Sequence, residues 1–261
     1  MTDLRVHEHG PPDAPTLVLL HGLTEAGTAW PDAVKRWQGT WHIVAVDLRG
    51  HGRSPRFTTA ELQRTHEVWL ADVLDVLREV PAAPIVVGHS LGGLFALRAA
   101  VDAPQLVRAL VLEDPARPTG EVTPDPEFVA HQEAFLDTFV SGTAAEKARM
   151  RRQSSWTAEE IDEWADCKPL VDRRMIRGGL SLGPADRPAL LAALTVPTLF
   201  VVPTDGEMAP TDDELGNPLI DIARIPAVGH CVRRDDAASY HAAVDPFLEL
   251  RRPRTPPAAT G

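Results

Sequence analysis

The strongest constraint on this chain is a succession of short, largely apolar runs set between stretches of helical period. Thr16 to Leu20, Trp41 to Asp47, Pro84 to Val87, Val107 to Leu112 and Thr198 to Val202 are such runs. Each is too short for a helix and reads as a strand buried on both faces, with Leu219 to Ile225 a weaker example. Between them the period changes. Residues 65–80 carry Leu70, Leu74 and Leu77, with Val73, Val76 and Val80 beside them, on one helical face. Leu91 to Ala100 has helical composition, and residues 236–249 line up Tyr240, Val244, Phe247 and Leu248. Buried strands alternating with helices predict an α/β fold with a mostly parallel, doubly wound sheet covered on both sides.

Residues 115–195 break that rhythm. They offer no convincing strand but helical stretches around 126–140, 143–153 and 157–166, joined by Pro- and Gly-rich segments. A helical insertion between two strands of such a sheet is a natural lid. The expected organisation is a core of 1–114 and 196–250, a helical cap of 115–195, and a tail of 251–261 whose Pro, Arg and Ala content predicts disorder. With 261 residues, 44% hydrophobic and 24% charged, the chain is neither disordered nor fibrous.

A formal charge of −11 disfavours nucleic acid and anionic membranes as partners, since both demand a basic patch. No apolar stretch approaches the roughly 20 residues that span a bilayer. The start, Met1-Thr2-Asp3-Leu4-Arg5, lacks the basic and apolar regions of a signal peptide. Cys167 and Cys231 are too few for a disulfide framework and read as free thiols in a reducing compartment, so a soluble, cytoplasmic protein is expected.

The chemistry concentrates at Gly88-His89-Ser90-Leu91-Gly92, a G-x-S-x-G pattern. The pattern alone is weak. Here it follows the apolar run Ile85 to Val87 and opens an apolar helix, and glycines two residues either side of Ser90 permit the sharp turn that lifts its hydroxyl above the sheet edge. Together with His21-Gly22-Leu23 after the first buried run and Asp47-Leu48-Arg49-Gly50-His51-Gly52-Arg53-Ser54 after the next, it makes the chain resemble the α/β-hydrolase fold superfamily over nearly its whole length. The resemblance implies an α/β-hydrolase fold with its cap inserted between the strand at Val107–Leu112 and the strand at Thr198–Val202. It also implies a serine hydrolase that needs no metal or cofactor.

A serine hydroxyl needs a base to take its proton. His230 is the candidate: it lies late in the chain beside Gly229, after a strand, in the serine–acid–histidine order of the fold. His7 and His9 sit in a polar segment, His21 and His51 belong to loops and shape turns, and His131 and His241 lie on helices. His89 flanks the serine and is expected to pack or bond locally. The backbone N–H of Leu91, at a helix start, is one oxyanion donor; the resemblance implies that of Leu23 as the other. Such donors are worth about 3 kcal/mol each.

The acid is ambiguous. Most members of the superfamily carry it after the penultimate strand, but here Val202-Pro203-Thr204-Asp205-Gly206-Glu207 puts Gly206 at that position, with Asp205 one residue short and Glu207 one beyond. Some branches, haloalkane dehalogenases among them, carry the acid after the earlier strand, about 24 residues beyond the nucleophile, which leads to Asp114. Pro115 is expected to bias Asp114 toward an extended backbone, while Glu113 points to the opposite side of the strand. Asp114 is the preferred acid, with Asp205 and Glu207 kept as alternatives.

A serine at the turn favours attack on a carbonyl, so a carboxylic ester or lactone of a hydrophobic small molecule is the expected substrate. Phe128, Phe135, Phe139, Met150, Trp156, Trp164 and Met175 of the cap either wall its pocket or pack the cap onto the core. A carbon–carbon bond hydrolase, a cofactor-free perhydrolase and a non-catalytic ligand-binding member of the fold remain as alternatives.

Overall fold

The computed structural model describes residues 3–118, 120, 125–178 and 180–253. Among these, seven strands form one sheet in the order β1-β3-β2-β4-β5-β6-β7. They are β1 (Val6–His9), β2 (Thr16–Leu20), β3 (His42–Val46), β4 (Ile85–His89), β5 (Ala109–Glu113), β6 (Thr198–Pro203) and β7 (Ile220–Ile225). Only β1 runs antiparallel, paired with β3 at one edge. The fold class read from the sequence is therefore the fold observed, that of the α/β hydrolases.

The apolar runs are explained by the two-residue period of a strand. In β2, Leu17 and Leu19 enter one core while Val18 and Leu20 enter the other. Ile43 and Ala45 of β3, Ile85 and Val87 of β4, and Val111 of β5 join the first; Val44, Val46, Val86 and Leu112 join the second. Neither face meets water, so no polar alternation survives. One face is covered by α1 (Pro31–Trp37) and α10 (Ala237–Arg251), the other by α2 (Thr65–Glu79) and α3 (Leu91–Asp102).

β1 and α1 escape a reading based on apolar runs. β1 is the edge segment Val-His-Glu-His with exposed Glu8, and α1 is only seven residues long. In α2 the buried face is centred on Trp69, Val73, Val76 and Leu77, whereas Leu70 and Leu74 lie half-buried at its margin. The Trp69 indole fixes this rotation by donating to Arg49 O at 3.0 Å.

Between β5 and β6 lie α4 (Pro126–Asp137), α5 (Ala144–Gln153), α6 (Ala158–Asp166), α7 (Arg173–Arg177) and α8 (Arg187–Ala192). The last two were not legible as helices because each spans fewer than two turns. α9 (Val232–Asp235) follows β7. Arg251 ends α10 and Arg252 donates to Thr40 O at 3.0 Å, while positions 254–261 of the expected tail lie outside the described residues.

From β2 the chain crosses to β3 on one side and then to β4 on the other, which leaves a crevice at the carboxyl ends of β2 and β4. The loops ending there carry Leu23 and Ser90. Their approach requires Gly92: a Cβ there would stand 2.2 Å from Leu20 O. Gly92→Ala is expected to lower the unfolding free energy by about 3 kcal/mol in urea titrations. Gly39→Ala, at an exposed position with no atom within 4 Å of the added carbon, should change it by less than about 0.5 kcal/mol.

Candidate active site

Ser90 sits between β4 and α3 with φ 51° and ψ −113°. A non-glycine residue at positive φ costs on the order of 1–3 kcal/mol and persists only where its surroundings impose it. Here they do. Ser90 N donates to Glu113 O at 3.0 Å, and Ser90 O accepts from Ala116 N at 2.9 Å and from Leu94 N at 3.0 Å. The turn closes because Gly88 has no side chain: a Cβ there would lie 2.7 Å from Gly93 Cα.

Asp114 follows β5, and its N–H extends the ladder to Val201 O at 3.0 Å. Its backbone is not extended, as Pro115 led one to expect. It has φ 35°, a left-handed conformation that aspartate tolerates better than most residues. That bend turns the carboxylate to His230: Asp114 Oδ2 lies 2.6 Å from His230 Nδ1, across 116 residues of chain. Asp114 Oδ1 is buried and has no partner among the described residues. Glu113 points to the other face, where Oε1 accepts from Arg233 N at 2.8 Å. Asp205 and Glu207 stand exposed in the turn after β6.

His230 lies in the loop before α9, which Ala227 at φ 59° turns and the Gly229 N–H ties to Asp235 Oδ2 at 2.7 Å. Its side chain is 40% exposed. Ser90, Leu91, Leu23 and His230 line one cavity of about 410 Å³ at the sheet crevice. No hydrogen bond joins the Ser90 hydroxyl to His230 among the described residues. Of the insertion's large side chains, Phe128, Phe135 and Trp164 face the cavity, as does His131. Phe139, Met150 and Trp156 instead pack around Trp164, and Met175 enters the main core.

His21 and His51 stitch loops, as expected of them. The His21 Nδ1–H donates to Gly22 O at 2.7 Å, leaving Nε2 to accept from Leu48 N at 3.0 Å; His51 Nε2 accepts from Thr24 N at 3.3 Å. Burial lowers the pKa of both rings, which matches their acceptor nitrogens.

His89 does more than bond locally. Nδ1 faces Glu25 Oε2 at 3.3 Å and Nε2 faces His230 O at 3.1 Å. Both partners are acceptors, so the ring satisfies them only as an imidazolium. Burial opposes that charge, but the Glu113 and Glu25 carboxylates and the Cys231 side chain prevail and hold its pKa well above the usual value. His89 thus holds the backbone carbonyl of His230.

A buried charge network surrounds this contact, and the sequence showed none of it. Arg234 pairs with Glu25 and reaches Glu160 Oε2 at 2.8 Å, and Arg233 Nη1 meets Glu160 Oε1 at 2.5 Å. Glu25 also accepts from Gly22 N at 3.2 Å, in the loop carrying Leu23. Glu160, from α6, therefore ties the helical insertion to the His230 loop. Burial raises the Glu160 and Glu25 pKa, yet the arginines, joined at Glu25 by His89 and Lys168, outweigh it and both carboxyls titrate below their usual range. Their charge-dependent stability is present above the unfolded carboxyl pKa and is lost as pH falls through the folded values. Removing one partner of such a pair strands a buried charge, so Glu160→Ala is expected to cost about 3–5 kcal/mol in urea unfolding at pH 7.

Among the described residues no cluster of His, Cys, Asp and Glu could hold a metal ion, and no helix is long and apolar enough to cross a membrane.

Sheet order, the strained serine turn and the helical insertion after β5 together define an α/β hydrolase. The model of the alpha/beta hydrolase family matches residues 17–243, and the chain belongs to that family. The putative carbamate hydrolase RutD of Pseudomonas syringae pv. syringae is 27% identical over 258 residues, covering 92% of this chain and 95% of its own. Lipase LipV of Mycobacterium tuberculosis is 39% identical over 114 residues, a match spanning 44% of this chain and 42% of the lipase. Among solved structures, the N-formylmaleamic acid deformylase of Pseudomonas putida S16 superposes with a TM-score of 0.74 at 24% identity, covering 92% of this chain and 96% of that one. That last likeness is one of fold. The chain is a hydrolase.

Proposed function

We propose that this hydrolase cleaves a carboxylic ester or lactone of a hydrophobic small molecule through an acyl-enzyme. Ser90 is the nucleophile, His230 the base and Asp114 the acid that orients it. His230 Nε2 takes the Ser90 proton as Oγ attacks the carbonyl. The N–H groups of Leu23 and Leu91 stabilise the oxyanion, and His230 returns the proton to the leaving oxygen. Water activated by His230 then hydrolyses the acyl-enzyme. The observation that carries this reading is the 2.6 Å contact of Asp114 Oδ2 with His230 Nδ1. It fixes the tautomer whose Nε2 can accept a proton, on a histidine that lines the same cavity as a serine held at positive φ. The α4–α8 insertion acts as the cap, its Phe128, Phe135 and Trp164 walling the apolar side of the cavity. Free Cys167 and Cys231 support a cytoplasmic location.

A second reading is hydrolysis of a carbamate or amide, with the same three residues. The near full-length likeness to putative carbamate hydrolases favours it. A panel of short p-nitrophenyl esters, macrocyclic lactones, carbamates and vinylogous diketones, assayed with Ser90→Ala as control, separates the readings. Ester or lactone turnover that requires Ser90 is the expected result. Turnover confined to the diketones would replace the proposal with carbon–carbon bond hydrolysis.

A further inference from the structure

One charge in the cavity has no use in the steps above. Lys168, just beyond α6, is 3% exposed and lines the same cavity as Ser90. Its Nζ donates to Thr24 O at 3.1 Å and stands 5.0 Å from the Trp164 ring centre. No carboxylate lies within ion-pair distance of it among the described residues, whereas Arg233, Arg234 and His89 each have one. Arg233 and Arg234 share Glu160 and Glu25, and His89 holds Glu25 as well. Two cations line the cavity, His89 and Lys168; His89 is paired with Glu25, and Lys168 is the one without a carboxylate partner among the described residues. A buried ammonium held by the Thr24 carbonyl, a weak contact to Cys167 Sγ at 3.8 Å and the faces of Trp164 and Phe135 keeps a strong demand for an anion.

We propose that Lys168 is a specificity-determining residue that pairs with a carboxylate carried by the substrate, so that the preferred substrate is an ester or related acyl compound bearing a free carboxylate. The inference rests on the Ser90 hydrolase reading and narrows its substrate class. The apolar wall of Phe128, Phe135 and Trp164 covers the hydrocarbon between the two carbonyl groups, and Lys168 selects the charged end. Thr24, whose carbonyl Lys168 holds, follows Leu23 directly and has φ 64°, so the ammonium lies within a residue of the proposed oxyanion donor.

The alternative role for Lys168 is a strut under the strained Thr24, and selectivity distinguishes the two. Monoethyl succinate and monoethyl adipate are compared with ethyl 4-methylpentanoate and ethyl 6-methylheptanoate, in which an isopropyl group replaces the carboxylate. On the leaving-group side, 4-(carboxymethyl)phenyl acetate is compared with 4-isobutylphenyl acetate. The expected result is a kcat/KM at least 10-fold higher for the carboxylate member of one or more pairs in the wild type. That ratio should fall at least 10-fold in Lys168→Met, through KM, and be largely restored in Lys168→Arg. Taking the ratio cancels any common loss from a disturbed fold. Ratios near or below unity in all three wild-type pairs, with Ser90-dependent turnover of the neutral esters intact, overturn the Lys168 inference alone. So does an equal loss for both members of each pair in Lys168→Met, the strut's signature. Turnover that survives Ser90→Ala overturns the hydrolase reading beneath it.

Discussion

Ser90→Ala and His230→Ala are each expected to lower kcat by a factor on the order of 10⁵–10⁶, and the double variant to be no slower than either single one. The non-additivity follows from the proposed chemistry. Without the hydroxyl the imidazole has no proton to take, and without the imidazole the hydroxyl stays a poor nucleophile. What survives is binding and the two backbone N–H groups, which neither substitution touches. Ser90→Ala should change stability little, since the Ser90 side chain makes no hydrogen bond among the described residues, whereas His230→Ala leaves the buried Asp114 carboxylate without its partner and should lower stability. Losses that multiply in the double variant would mean that the two residues act separately.

Asp114→Asn is expected to lower kcat on the order of 10⁴-fold while Asp205→Asn stays within about twofold of wild type. Asparagine tolerates the left-handed backbone of position 114 (φ 35°) and fills the same space, so folding should be preserved. What changes is the partner of His230 Nδ1. A carboxylate accepts the Nδ1 proton and leaves Nε2 free for Ser90, whereas an amide can donate and stabilise the wrong tautomer. Asp205, exposed beyond β6, is the natural control, because it occupies the neighbourhood where most of the superfamily places its acid. If the Asp205 change is the one that removes most of the activity, the assignment of Asp114 fails. Circular dichroism and unfolding curves on both variants separate a lost tautomer from a lost fold.

The parts of this molecule legible in its sequence are those governed by local pattern. β2 to β6 could be read because both faces of each are buried, which turns the strand into an uninterrupted apolar run. The serine turn could be read because Gly88 and Gly92 are steric necessities, not preferences. β1 and α1 could not be read, since an edge strand of alternating charge and a helix of seven residues carry no such signature. The face of α2 was set by Trp69, whose indole bond to Arg49 is a tertiary contact. Proline at 115 suggested an extended Asp114, yet the ladder to Val201 and the pull of His230 bend it into the left-handed region.

The charge network is the largest feature that local pattern could not reveal. Glu25, Glu160, Arg233 and Arg234 come from three separate segments, and each alone is an ordinary charged residue. Only the fold removes them from water, and only long-range pairing makes that removal tolerable. The same holds for His89, which flanks the serine in sequence but serves the backbone of His230, 141 residues away.

The most direct test of the central claim is to treat the protein with a fluorophosphonate and locate the adduct by peptide mass spectrometry. The account predicts one stoichiometric adduct on Ser90, formed orders of magnitude more slowly in His230→Ala and absent in Ser90→Ala. An adduct on another residue, or an unlabelled Ser90 in a preparation that still hydrolyses esters, would contradict it.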